Sequence, residues 1–282
     1  VIRRAFLAGG SDLTGFDPLD ITGCQLWLKA DTITGIADGV TLPVASDSWP
    51  DSSGESNHSS GILAFERPNW VESNSTINNK PSVRFTASSS ESLTSGLSPN
   101  FFRKGETDTD FTIFIVAVPT TVATNYQALF GAFGEANWSS AADVGLSYFI
   151  MGIDSGSSFS IHGKSAALDM ARDASVDLVD DTPYILSTAF DVSSETVYMW
   201  QNGTRTDIKT AFDRGSSSGT GVLMGAADSG TRGAKDNYYD GHIAEVIVYN
   251  TKLSEQNLYD VQHYLTVKYG FSNRLPMPTY TL

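Results

Sequence analysis

The chain has 282 residues, of which 40% are hydrophobic, 11% are aromatic and only 18% are charged. This composition favours one large all-β sandwich over a helical bundle, which would need more Glu, Lys, Leu and Ala. The formal net charge of −14 repels a phosphate backbone and argues against general nucleic-acid binding.

The sequence also argues against membrane insertion and internal disulfides. No run approaches the roughly 20 apolar residues that a membrane-spanning helix needs. Cys24 is the only cysteine, and its place before the apolar run 26–28 predicts a small buried side chain. The apolar part of the first ten residues is too short for a signal peptide, so signal-dependent export has no support from sequence.

Both ends of the chain are predicted to be extended. Residues 1–19 form an N-terminal arm with Gly9-Gly10 and Asp17-Pro18 but no hydrophobic period. Residues 272–282 form a C-terminal tail in which Pro276 and Pro278 exclude a regular helix or a central strand. The sandwich domain is therefore predicted to span residues 20–271.

Strand signals recur through this domain as short β-branched and aromatic runs. The strongest run covers residues 111–118 and ends at Pro119. Asn202-Gly203 predicts a tight hairpin turn between a strand at 196–201 and a returning strand at 204–206. The other predicted strands are 25–29, 82–85, 128–130, 146–152, 159–161, 184–190, 222–224 and 243–249.

One helix is well specified. Ser254 is its predicted N-cap, Leu253 and Leu258 form a hydrophobic staple, and Gly270 ends it. We expect this helix to cover one end or edge of the sandwich. Its apolar stripe consists of Leu258, Val261 and Leu265.

Several blocks of the chain resemble, in order, the laminin-G-like members of the concanavalin A-like lectin/glucanase superfamily, of the kind found in phage structural and bacterial surface proteins. The resemblance implies a concanavalin A-like jelly-roll β-sandwich of two antiparallel sheets, and the helix signals described above add one C-terminal helix to it. Because this fold carries lectins, glycosidases, lyases and adhesion modules, it does not specify a function. The blocks are 26–31, 49–54, 67–68, 79–85, 197–203 and 240–250, with the helix end at 264–270.

The segment Asp51-Ser52-Ser53-Gly54 has two interpretations. Asp and Ser side chains can cap their own turn, which is the interpretation we favour. Some relatives of the fold instead bind calcium, and here Asp31, Asp51 and Asn57 would supply the oxygen ligands. No cofactor is required by the sequence, although calcium is compatible with it.

No catalytic residues are predicted. Retaining glycosidases need two carboxylates about 5 Å apart, which on a strand means alternate residues. Glu245 is flanked at those positions by Ile243 and Ile247. We expect Glu245 to make a structural hydrogen bond to a turn or to the helix, and the protein not to be an enzyme.

Binding is predicted to involve aromatic side chains in polar loops, whose rings could stack on sugars or on a protein partner. The candidates are Trp70, Trp138, Tyr238 and Tyr239. Trp27 and Trp49 fit core positions, and Trp200 lies in a predicted strand.

Three functions fit these features. The favoured one is a non-catalytic phage virion component, such as a fibre, decoration or attachment protein. Such a protein is located in the virion or at a cell surface and is oligomeric or part of a larger assembly. The second is a secreted bacterial carbohydrate-binding module that recognises cell-surface glycans. The third is a divergent polysaccharide hydrolase or lyase.

Overall fold

The strands and the helix are defined in a computed structural model, which describes residues 15–61, 66–105, 109–122, 126–134, 147–163, 170–214, 219–228 and 235–271. Two antiparallel β-sheets pack face to face, and one α-helix lies on the outer face of the larger sheet. The elements are β1 (Cys24–Lys29), β2 (Ser59–Ser60), β3 (Asn69–Asn74), β4 (Lys80–Phe85), β5 (Leu93–Ser95), β6 (Phe111–Pro119), β7 (Gln127–Gly134), β8 (Ser147–Ile153), β9 (Ser158–His162), β10 (Met170–Asp177), β11 (Tyr184–Asp191), β12 (Thr196–Gln201), β13 (Thr204–Lys209), β14 (Gly219–Met224), β15 (Ala227–Asp228), β16 (Lys235–Asp236), β17 (Gly241–Tyr249) and α1 (Glu255–Tyr269).

The larger sheet has the strand order β13-β12-β11-β6-β17-β4-β3, with β1 also paired to β17. The second sheet has the order β10-β9-β8-β7-β14-β5-β2. β15 and β16 form a separate two-stranded ribbon. The predicted all-β sandwich of two antiparallel sheets with one C-terminal helix is therefore confirmed.

Strand β6 shows why the larger sheet is covered on both faces. All nine of its residues are buried. Phe111 and Ile113 point into the core between the sheets, whereas Phe114 and Val116 point into a second hydrophobic cluster beneath α1. A strand covered on both faces is apolar at successive positions, which explains the continuous hydrophobic run.

Helix α1 covers the outer face of the larger sheet, so the prediction that it covers an end or an edge is wrong. Phe114 and Val116 of β6 and Ile247 of β17 point outward, and the apolar stripe of the helix buries them. The predicted boundaries are confirmed: Ser254 Oγ accepts a hydrogen bond from Asn257 N at 3.2 Å. At the other end, Gly270 has a left-handed φ of 71°.

The predicted strands all coincide with observed ones, except that residue 146 lies outside the described part of the chain. The strands that sequence reasoning missed are β2, β3, β5, β10, β15 and β16. These strands are either very short or rich in Ser, Asn, Asp and Glu, so they carry little β propensity of their own.

Most of the predicted N-terminal arm, residues 1–14, and all of the predicted C-terminal tail, residues 272–282, lie outside the described residues. Phe16 packs against the cluster beneath α1. The Tyr249 hydroxyl donates to the Pro18 carbonyl oxygen at 2.9 Å. The described chain therefore begins in contact with the layer formed by β17 and α1.

Candidate functional site

A groove of about 680 Å³ lies between the first half of α1 and the outer face of β12 and β13. We call it the helix–hairpin groove, because β12 and β13 form one wall as a hairpin and the helix forms the other. The lining side chains that matter below are Tyr198, Trp200, Arg205, Lys252, Glu255 and Tyr259. Its size lies within the range of small-molecule sites in proteins.

Strand β12 places two aromatic rings in this groove. Val197 and Met199 point into the core between the sheets. Because side chains alternate along a strand, Tyr198 and Trp200 point outward, where both are half-buried. Their ring centroids are 6.1 Å apart and their planes are inclined by 29°. The two rings therefore present similarly oriented apolar surface next to solvent.

Strand β13 adds a guanidinium to the same wall. Met199 is paired with Asp207 and Trp200 with Arg205, so Thr206 is the extra residue of a β-bulge. The bulge places the exposed Arg205 directly opposite Trp200. The predicted tight turn that leads into β13 is confirmed, since Asn202 and Gly203 both have left-handed φ angles, 49° and 78°.

The opposite wall is the first half of α1. Tyr259 is half-buried there and Glu255 is exposed at the start of the helix. Beneath them, Gln262 Nε2 donates to Ser187 Oγ at 3.0 Å. Ser187 is paired with Trp200 across β11 and β12. This buried hydrogen bond joins the helix to β11, which pairs with the strand that carries the aromatic wall.

The end of the groove holds an ion pair between Lys252 and Asp191. Hydrogen bonds from Lys252 and then from Ser193 hold the pKa of the Asp191 carboxyl well below its ordinary value. The same contact raises the pKa of Lys252. Lys252 Nζ also lies 5.3 Å from the ring centroid of Tyr198, a cation–π contact.

The groove offers groups that can hold a polar ligand. Aromatic faces suit the apolar face of a sugar, and the guanidinium, carboxylate and tyrosine hydroxyl groups can hydrogen-bond to hydroxyls. Among the described residues that line it, Glu255 is the one carboxylate. The groove therefore lacks, in the described part of the chain, the carboxylate pair that glycoside hydrolysis needs.

Two of the predicted ligand-binding aromatics are buried, so the predicted loop role is wrong for them. Trp70 belongs to β3, is 8% exposed and donates from Nε1 to the Ala30 carbonyl oxygen at 3.0 Å. Tyr239 is 0% exposed and packs against Phe85 with ring centroids 6.3 Å apart. Neither ring has a face free for a ligand, because both belong to the hydrophobic core between the two sheets.

The other two predicted aromatics differ in outcome. Tyr238 is half-buried and lines a second pocket of about 300 Å³ together with Tyr126 and Asn237. Trp138 lies outside the described residues. Tyr238 does not line the helix–hairpin groove, so the structure does not bring the predicted set together.

Asp51 has the hydrogen bonds of a turn-capping residue. Its Oδ1 accepts from Trp27 N at 2.8 Å and from Ser53 N at 2.9 Å. Its Oδ2 accepts from Ser53 Oγ at 2.7 Å and from Asn57 N at 2.9 Å. Asp31 is engaged elsewhere, with Lys268 Nζ 2.9 Å away. Within the described ranges, no group of three or more His, Cys, Asp or Glu side chains is arranged to hold a metal ion.

Glu245 hydrogen-bonds to the helix, as expected. Its carboxylate accepts from the hydroxyls of Tyr264 at 3.0 Å and Tyr269 at 2.7 Å, and Lys268 Nζ lies 2.8 Å away. A fourth donor is Trp27 Nε1 at 2.5 Å, which the sequence did not indicate. The carboxylate is fully buried and fully occupied, and so has no access to a substrate.

Sequence reasoning missed the groove because it assigned Trp200 to a strand and looked for ligand contacts in loops. One signal was available. Tyr198 and Trp200 are two residues apart in a predicted strand that ends at an Asn-Gly turn. Two large aromatics at alternate positions share one face of the sheet, and near a sheet edge such a face is often left partly open.

No known protein-family model matches the chain, and no curated protein matches it. Solved structures do resemble it. One is domain 4 of AbnA, an extracellular GH43 arabinanase from Geobacillus stearothermophilus, in complex with arabinotriose. Its sequence is 11% identical to that of this chain. The match covers 85% of this chain and 98% of that domain, and the TM-score is 0.54.

Two toxin domains are similar to a comparable degree. The binding domain of Paraclostridial Mosquitocidal Protein 1 is 11% identical, with 88% of this chain and 53% of that chain covered and a TM-score of 0.55. The receptor-binding domain of botulinum neurotoxin type G is 12% identical, with 88% and 52% covered and a TM-score of 0.53. This chain spans about half the length of these two structures. At such identities the likeness concerns the fold alone, and it agrees with the β-sandwich described above.

Proposed function

We propose that the protein is a non-catalytic carbohydrate-binding module that holds an oligosaccharide in the helix–hairpin groove. The observation that carries the proposal is the pair of half-buried rings of Tyr198 and Trp200 on the outer face of β12, opposite Tyr259 on α1. Aromatic rings grouped in a groove and partly open to solvent often mark a binding site, and their faces suit stacking on sugar rings.

The similar structures support this proposal at the level of the fold. AbnA domain 4 was solved with arabinotriose, so a sandwich of this type can serve as a sugar-binding domain of a larger enzyme. Because a fold does not specify a function, the argument for this chain rests on its own groove. A glycan ligand also implies an extracellular or cell-surface location, which we propose together with the function.

Catalysis is not part of the proposal, because the groove has one carboxylate among its described residues and Glu245 is sealed beneath α1. No helix of the described residues is both long enough and apolar enough to cross a membrane. The virion role and oligomeric assembly inferred from sequence remain predictions. They rest mainly on the two terminal extensions, most of which lies outside the described residues.

The proposal is tested by screening the full chain against a glycan array and measuring affinities by calorimetry for each glycan that binds. Arabinotriose, cellotriose and 3′-sialyllactose are included as soluble probes. Trp200→Ala is expected to weaken binding by about 10- to 100-fold, as removal of a central aromatic contact does at other interfaces. Circular dichroism checks that the variant is folded.

Tyr238→Ala is the matched control, since it removes a half-buried aromatic ring outside the groove. Its affinity is expected to equal that of the unmodified chain. Binding lost in Tyr238→Ala but kept in Trp200→Ala would move the site to the smaller pocket and refute the groove. Failure of every glycan to bind would refute the function itself.

A further inference from the structure

The charges of the helix–hairpin groove indicate the class of sugar it accepts, and this inference rests on the proposed function. Arg205 and Glu255 line opposite walls. Neither side chain makes a hydrogen bond or an ion pair with another residue in the described part of the chain, and both residues are exposed. The groove thus presents one unpaired cation and one unpaired anion across the space a ligand would fill.

The remaining charges near the groove are already compensated. Lys252 is paired with Asp191, and its ammonium also lies over the ring of Tyr198. Asp191 accepts a further hydrogen bond from Ser193 Oγ at 2.6 Å. Because this pair is internally neutral, the ligand faces the formal charge of Arg205 and Glu255 only, which sums to zero.

We propose that the groove selects uncharged oligosaccharides and that Glu255 and Arg205 determine this selectivity. The Glu255 carboxylate accepts hydrogen bonds from sugar hydroxyls, and the Arg205 guanidinium donates to hydroxyl or ring oxygens from the other side. The sugar rings stack against Trp200 and Tyr198 between them. Hydrogen bonds from neutral hydroxyls to ionised groups are the strong ones that a polar, uncharged ligand can make.

A carboxylated or sulfated sugar would be disfavoured in two ways. Its anion would lie in the same groove as the Glu255 carboxylate, and like charges at short range cost binding energy. It would also approach a chain whose formal net charge is −14, so long-range electrostatics would slow its association. A single guanidinium at one wall does not offset both effects.

The test compares neutral and acidic glycans on an array with the full chain and then measures each bound glycan at low salt and at about 0.5 M NaCl. Uncharged glycans are expected to dominate the bound set, and their affinities are expected to change by less than about twofold with salt. Trigalacturonate and its fully methyl-esterified form are included because esterification removes the charge of each carboxylate and adds only a methyl group in its place.

Two variants test whether Glu255 and Arg205 determine the selectivity for uncharged glycans. Glu255→Gln keeps the shape but removes the charge, and it is expected to weaken neutral-glycan binding by about tenfold while it improves binding of acidic analogues. Arg205→Gln is expected to weaken neutral-glycan binding by a similar factor. Glu72→Gln, an exposed carboxylate on β3 at the other edge of the same sheet, is the matched control and should change neither.

The outcomes separate this inference from the proposed function. If the bound glycans are acidic, lose affinity steeply with salt and depend on Trp200, the groove is a glycan site but the inference of neutral selectivity is wrong. If neutral glycans bind but Glu255→Gln and Arg205→Gln have no effect, these residues do not set selectivity. If no glycan binds, or binding is independent of Trp200, the proposed function fails and this inference fails with it.

Discussion

Lys268 Nζ lies 2.8 Å from the carboxylate of Glu245, which is 0% exposed beneath the last turns of α1. Lys268 is 13% exposed and also contacts Asp31, whose side chain is 39% exposed, at 2.9 Å. The inner contact is thus a buried ion pair that joins the helix to β17, and the outer contact is a partly hydrated one. The helix that this pair holds in place is also one wall of the helix–hairpin groove.

Removing the buried charge should therefore destabilise the fold far more than removing the outer one. Glu245→Gln is expected to lower the free energy of unfolding by about 3 kcal/mol, because it leaves the lysine without its buried counter-ion. Asp31→Asn should cost less than about 1 kcal/mol, as is usual for exposed pairs. Urea denaturation of both variants checks this, and equal losses would show that Glu245 is not the main anchor.

Asp51 is expected to stabilise its turn without calcium. Asp51→Ala removes an acceptor of four hydrogen bonds and should cost about 3 kcal/mol. Asp47→Ala, at an exposed position nearby, should change stability by less than about 0.5 kcal/mol. Thermal melts with calcium and with a chelator should coincide. A melting temperature that rises with calcium and loses that response in Asp51→Ala would establish the calcium interpretation instead.

Acid should destabilise the protein through His162. Burial lowers the pKa of this imidazole from 6.5 to about 4. Between these values the unfolded chain binds a proton that the folded chain excludes, so stability is lost as the pH falls from 6.5 to about 4. The loss is about 1.4 kcal/mol per pH unit for a single group.

For His162→Gln, the free energy of unfolding should change less steeply with pH over that window, by this amount. The difference in stability between the two proteins at pH near 8 is subtracted first, to correct for changed packing. Urea titrations at a series of pH values measure the slope. Parallel profiles for the variant and the unmodified chain would contradict the assignment.

The Asp191–Lys252 pair should act in a lower pH range. Because the folded pKa of Asp191 lies below the unfolded value of 3.8, its contribution is present above that value and is lost as the pH falls below it. The stability difference between the unmodified chain and Asp191→Asn should therefore be constant near neutrality and shrink below about pH 4. A difference that persists at lower pH would show that packing, not charge, is responsible.

The architecture was largely predictable because its signals are local. The run that became β6, the Asn202-Gly203 turn and the Ser254 and Gly270 caps each depend on a few neighbouring residues. The expected hydrogen bonding of Glu245 to the helix was also confirmed. The polar strand β3 was missed because its pairing with β4, not its own propensity, makes it a strand.

The sequence by itself determined the sandwich and the closing helix, since hydrophobic period, turn residues and caps are encoded within short windows. Only the tertiary structure decided which aromatic rings meet solvent. Trp70 lies in a polar segment yet is buried, and Trp200 lies in a strand yet lines a groove. The physical reason is that exposure depends on whether another layer covers a given face, and that layer comes from distant parts of the chain. Helix α1 covers the centre of the larger sheet and leaves the β12–β13 edge partly open, so the groove exists only once the layers have packed.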